Sequence, residues 1–256
     1  MKKYFKLILF FLLSISFLSC SVSKKLEHAR NKGEKLRKLN LGWCKLTEIP
    51  QEVFEFSNLE VLRLYKNRLE TIPPEIEKLK NLKKLTVSSN RLKSIPPEIG
   101  NLWQLEELIL KYNKIKEIPP EIGMLEKLIL MDLESNYIAS IPIEIGYLNN
   151  LTYLYLSRNN ITELPHQIGM LENLEYLRFG QNDLSGLLPD ELGELSSLVE
   201  LDLTKSGIMV RLPETLENLR NLEYLYIDKT TILPYSMHRI TPRCKIIVSN
   251  TLRLIY

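Results

Sequence analysis

Apolar residues along this chain recur at fixed intervals. In Leu59-Glu60-Val61-Leu62-Arg63-Leu64-Tyr65-Lys66-Asn67-Arg68-Leu69, leucines hold positions one, four, six and eleven, and an asparagine holds position nine. Leu62-Arg63-Leu64 alternates, so its side chains point to opposite faces, as a short strand requires. Units of this kind open at Leu36, Leu59, Leu82, Leu105, Leu128, Leu151 and Leu174, each 23 residues apart, and at Leu198 and Leu222 at spacings of 24. Met131 replaces the second leucine in one unit, and Val87, Phe179 or Ile227 replaces the third in others. Each unit then runs into Ile-Pro-Pro-Glu-Ile-Gly or a variant, as in Ile95-Pro96-Pro97-Glu98-Ile99-Gly100. Proline fixes φ and has no donor to lose, which suits an outer segment that returns the chain. No single unit buries its apolar side alone; stacked neighbours do. The pattern therefore predicts an α/β-type repeat solenoid. Its short strands pair into a parallel sheet on the concave side of a curved horseshoe, and 3-10, helical or irregular segments form the convex side.

These nine in-phase units resemble the leucine-rich repeat family, in the 23-residue form of many bacterial and intracellular Ras-associated members. The resemblance covers roughly residues 36–234. The seventh unit, at Leu184-Ser185-Gly186-Leu187-Leu188-Pro189, adds one residue and looks like the form common in plant extracellular receptors. The ninth position is Asn67, Asn90, Asn113, Asn136, Asn159 or Asn182 in six units. An amide both donates and accepts, so one per coil can satisfy turn backbone groups and build a structural asparagine ladder. Cys44, Ser206 and Thr230 take that place near the ends, where the ladder should weaken.

Stacked units need caps. Residues 20–35 read as a basic tether and N-terminal cap, with Leu26 and Ala29 compatible with a short helix, and residues 235–256 as a C-terminal cap. The β-rich run Lys245-Ile246-Ile247-Val248-Ser249 either adds a last strand or plugs the core. Residues 1–19 read as a signal peptide: Lys2 and Lys3 precede a run over residues 7–18 that is nearly all apolar. That run is short of the ~20 residues a membrane-spanning helix needs. Its end, Phe17-Leu18-Ser19-Cys20-Ser21, resembles the lipobox of bacterial lipoprotein signals, with Phe17 where leucine is usual. The resemblance implies lipidation (thiol-linked and N-terminal acyl chains, palmitate included) at Cys20, hence a membrane anchor in a bacterial envelope. Ser21, where an Asp would signal inner-membrane retention, points to the outer membrane.

Charge changes this picture in one place. Without Lys2, Lys3 and Lys6 the 34 basic residues fall to 31, equal to the 31 acidic ones, so a globally basic nucleic-acid binder does not fit. Residues 21–45 keep eight Lys/Arg against Glu27 and Glu34. That excess reads first as a solvated tether and second as a neighbour of anionic head groups.

The chemistry of turnover has no foothold in the sequence. His28, His166 and His238 have no metal-ligand spacing, and no phosphate-cradling glycine loop or nucleophile elbow occurs. Neither a metal, a cofactor nor an enzyme activity is expected. Cys44 and Cys244 belong to opposite ends of the stack, too far apart for a disulfide. Function should instead lie in the exposed strand positions, which line the concave surface. There the third, fifth, seventh and eighth columns gather Ile109, Leu130, Asp132, Glu134, Tyr153, Tyr155, Arg158, Tyr176 and Arg178 across units four to seven. Exposed Tyr and Arg are enriched in interface hot spots, while Tyr also suits exposed strands for its own sake. Aromatic rings stack on sugars as well, so protein and glycan partners both fit. The expected function is non-enzymatic binding or adhesion. The alternative is a self-associating structural protein of the envelope.

Overall fold

The structure, a computed structural model, describes residues 22–239 and 244–249. The predicted signal segment and Cys20, with residues 250–256 of the predicted C-terminal cap, lie outside the described residues. Ten parallel strands form one open sheet in sequential order. They are β1 (Lys38–Asn40), β2 (Val61–Arg63), β3 (Lys84–Thr86), β4 (Glu107–Ile109) and β5 (Leu130–Asp132). Next come β6 (Tyr153–Tyr155), β7 (Tyr176–Arg178), β8 (Glu200–Asp202), β9 (Tyr224–Asp228) and β10 (Lys245–Ser249). The curved sheet and the 3-10 turns between its strands are the solenoid that the repeat predicts.

Register follows the repeat without slippage. Leu39 pairs Leu62, Leu62 pairs Leu85, and the series continues through Leu108, Met131, Leu154, Leu177, Leu201 and Leu225. A shift of one residue would turn every leucine to solvent, so burial locks the register. The buried leucines and isoleucines join into one continuous core from Leu26 to Ile227.

The convex side is built from 3-10 turns such as Pro97–Asn101, Pro120–Met124 and Ile143–Tyr147. The isoleucine of each, Ile99, Ile122 or Ile145, is fully buried. The following glycine has a packing reason. A Cβ on Gly123 would lie 2.7 Å from the Glu144 carbonyl oxygen of the next coil. Adjacent convex turns therefore pack backbone against backbone.

The two ends differ. Residues 22–32 form an α-helix, α1, that buries Leu26 and Ala29 over the first coil. At the far end β10 pairs with β9 along its whole length, Lys245 to Tyr224 through Ser249 to Asp228. None of the described helices is long and apolar enough to cross a membrane.

Candidate functional site: the concave tyrosine belt

The parallel register brings equivalent positions of successive strands side by side. On the third position the row runs Glu107, Leu130, Tyr153, Tyr176, Glu200, Tyr224; on the fifth it runs Ile109, Asp132, Tyr155, Arg178, Asp202, Tyr226. Tyr153 and Tyr176 stack with ring centroids 5.0 Å apart and planes 14° from parallel. Tyr155 meets Tyr153 edge-on at 6.3 Å. The Arg178 guanidinium lies 5.0 Å from the centre of the Tyr155 ring, a cation–π contact. Its Nε donates to Glu200 at 2.7 Å, and this hydrogen bond raises the Arg178 pKa further. Partial burial pushes the Tyr155 phenol up from its usual range.

The belt continues past the expected patch. Tyr224 and Tyr226 on β9 pair at 6.4 Å, and Lys245 of β10 lies 5.6 Å from the Tyr224 ring. Both stand in the same columns as the others, so the signal was present. The expected patch ends at unit seven; between it and β9 stands Glu200 of β8, which accepts from Arg178 on β7 and is the register neighbour of Tyr224 on β9.

The remaining predicted residues divide. Leu130 and Ile109 are half-buried beside the tyrosines and extend the belt toward β4. Asp132, expected on the open face, is covered: its side chain is only 6% exposed and accepts from Lys111 at 2.9 Å. Its other oxygen accepts from the Glu134 backbone at 3.2 Å. That carboxylate is committed to its own turn and to the preceding coil. The same hydrogen bond holds the Lys111 pKa above its ordinary value, ahead of the opposing cost of burial. Glu134 is half-buried and lies 3.9 Å from exposed Arg158, a loose rim pair.

Arg158 marks a property of the eighth column in the first eight units. Trp43, Lys66, Ser89, Tyr112, Ser135, Arg158, Gln181 and Lys205 all have φ between 53° and 60°. Each of β1 to β8 is thus followed by a left-handed turn, and this column sits on the rim instead of the concave floor. The turn delivers the asparagine inward. The Asn136 Nδ2 group donates to the Leu110 and Leu133 carbonyls at 3.2 and 2.9 Å, and its Oδ1 accepts from Ile115 N–H at 3.1 Å. Asn159 repeats this with Leu133, Leu156 and Ile138. Asn67, Asn90, Asn113 and Asn182 make the equivalent bonds. Each shared carbonyl, such as Leu133 O, accepts from two successive asparagines, so the amides form one continuous ladder. At its N-terminal end the Cys44 Sγ donates to the Gly42 carbonyl at 3.4 Å, and its backbone N–H donates to Asn67. The Ser206 hydroxyl donates to the Leu203 carbonyl at the other end.

Cys44 and Cys244 are free thiols. Among the described residues no group of three His, Cys, Asp or Glu side chains is placed to hold a metal. His166 instead pairs with Glu191 on the convex side at 2.7 Å.

A solenoid whose ordered surface is a concave sheet rich in Tyr and Arg defines a class of binding scaffold, and that class is generally protein-binding. The family described as a leucine-rich repeat region matches residues 11–111 and 97–186, and the chain belongs to it. The plant peptide hormone receptor RGFR1, in complex with RGF2, is 33% identical; the match covers 84% of this chain and 36% of that one, with a TM-score of 0.74. The ectodomain of the Arabidopsis thaliana receptor kinase GASSHO1/SCHENGEN3, in complex with CASPARIAN STRIP INTEGRITY FACTOR 2, is 32% identical. That match covers 85% of this chain and 27% of the receptor, with a TM-score of 0.73. An internalin from Listeria monocytogenes shares the fold at 20% identity, covering 86% and 62% of the two chains with a TM-score of 0.72. The chain spans about a third of the length of these plant receptors. No curated protein matches it.

Proposed function

We propose that this is a non-enzymatic binding protein of a bacterial envelope. It is held at the outer membrane through lipid on Cys20 and recognises a protein partner through the concave belt. The observation that carries the binding reading is the contiguous cluster of Tyr153, Tyr155, Tyr176 and Arg178 on adjacent strands. Tyrosine supplies large, rigid contact area at low entropic cost, and such clusters anchor interfaces. The envelope and anchor rest on the signal-like segment and on Cys20.

A protein partner is favoured over a glycan. Sugar stacking needs free ring faces, but Tyr153 and Tyr176 lie face to face and Arg178 covers one face of Tyr155. Two plant receptors similar to this chain are in complex with RGF2 and with CASPARIAN STRIP INTEGRITY FACTOR 2, which supports the same reading.

Photo-crosslinking in cells tests it. A photoreactive residue at Tyr155 is expected to give a discrete adduct. Adding Tyr153→Ala and Tyr176→Ala should remove that adduct, an affinity loss of roughly a hundredfold or more, with the circular dichroism spectrum unchanged. An adduct from convex Trp103 but none from Tyr155 would sink the concave site. Adducts containing only this chain, with concentration-dependent sedimentation, would favour the self-associating structural role. Protease accessibility on intact against lysed cells then tells which side of the membrane the belt faces.

A further inference from the structure

The basic excess near the N-terminus is gathered by the fold. On α1, Lys24, His28 and Lys32 follow one another at intervals of four and so share a helix face. Lys25 flanks that face, and β1 brings Lys38 up to it. A groove of about 290 Å³ opens between helix and strand, lined by these four lysines and His28 over a floor of Ala29, Leu36 and Leu39. No acidic side chain lines it.

The two arginines of this end, by contrast, are paired with carboxylates. Arg30 pairs with Glu52 at 3.2 Å, and Arg37 with Glu60 at 3.4 Å. Among the described residues, Lys24, Lys32 and Lys38 have no carboxylate partner, and Lys25 donates to the Cys44 sulfur at 3.3 Å. Like charges crowded beside an apolar floor repel, and an anion in the groove relieves that repulsion. The volume accepts a phosphate group with several waters.

We propose that this groove binds the phosphate headgroup of an anionic lipid and seats the first coil on a membrane surface. The geometry points to a lipid because the groove is at the tip of the solenoid, on its terminal strand, where a plane can reach it. In the sequence Val22, the first described residue of this helix, is two residues from Cys20, the predicted attachment point. A lipidated chain would hold this face against head groups. The tyrosine belt lies five strands away, so the two surfaces can be occupied together.

Vesicle co-sedimentation of the full chain tests the proposal, with phosphatidylcholine alone and with added phosphatidylglycerol. Any anchoring by the apolar N-terminal segment is common to all variants and cancels. The parent is expected to prefer anionic vesicles. Lys24→Gln, Lys32→Gln and Lys38→Gln together should lower that preference roughly a hundredfold, about fivefold per lysine. A control triple of exposed lysines elsewhere, Lys114→Gln, Lys116→Gln and Lys229→Gln, should keep it. Equal losses in both triples would reduce the effect to net charge and overturn the groove. So would an undiminished preference in the groove triple. Release of the parent by inorganic phosphate, at an ionic strength where chloride does not release it, would make free phosphate the ligand and overturn the lipid assignment. None of these outcomes alters the adduct from Tyr155, so failure here and failure of the concave site read out separately.

Discussion

At the scale of single residues, the fold relies on two neighbouring positions with opposite demands. In the first eight units position eight adopts a left-handed turn although it is never glycine. For an L-residue this conformation costs roughly 1–2 kcal/mol, while glycine adopts it freely and loses some of the gain to unfolded-chain entropy. Ser135→Gly, at φ 57°, should therefore raise stability by about 0.5–1 kcal/mol. Ser157→Gly, one position earlier in its own unit and without positive φ, should lower it by a similar amount. Urea denaturation of the two variants checks the opposite signs, and the same sign in both would refute the turn argument. Position nine turns inward, and inside the stack its asparagine is exchanged only at a cost. Asn136→Ala would strand the Ile115 N–H and remove donors from two buried carbonyls. The expected cost is about 3 kcal/mol or more, by the same denaturation. The two positions also differ in how well the sequence announces them. Asparagine is visible because its amide is the one side chain suited to both duties. The left-handed turn is hidden behind Trp, Lys, Ser, Tyr, Arg and Gln, none of which signals it.

At the scale of elements, the strands are too short to act singly, and contacts between neighbouring coils decide what each side chain can do. Asp132 illustrates this. Its column in the repeat marks it as a concave residue, but its partner Lys111 sits on the preceding coil, and only the stacked register reveals that the carboxylate is covered. The columns were legible because period two fixes which side chains face out. Pairings between coils were not, because they depend on rotamers. The Lys111–Asp132 pair has a definite pH signature. The folded-state pKa of Lys111 is raised, so its contribution is complete below the ordinary lysine value of about 10.4 and is lost as pH rises through the higher folded value. Lys111 is more than a third exposed, so solvent screening keeps the coupling below about 1 kcal/mol. A double-mutant cycle of Lys111→Met and Asp132→Asn should show a coupling that is flat to about pH 10 and falls above it. A coupling that grows with rising pH would contradict the assignment.

At the scale of the whole molecule, the solenoid is nearly one-dimensional: each coil touches its neighbours, and only the ends need special closure. The repeat frame, the parallel sheet and its concave face were readable from the spacing of leucines alone. The N-terminal cap was legible only as a short helix through Leu26 and Ala29, not in its extent, because these two buried residues among exposed charges are too few apolar positions to declare a period. That economy makes α1 a separable closure. Leu26→Asp places a carboxylate against the first coil, where burial without a partner costs several kcal/mol, so the helix should undock before the charge is buried. Because coupling passes from coil to coil, the damage should fade along the stack. Amide hydrogen exchange should accelerate in β1 and β2, where Leu39 and Leu62 lose their cover, and stay at parent rates in β6 to β9. Tyr153 and Tyr176 would then keep their stacking, and crosslinking from Tyr155 would survive while the preference for anionic vesicles is lost with the dismantled groove. If exchange instead accelerated uniformly to β9, the solenoid would be a single cooperative unit, and the independence of its two surfaces would fall with it.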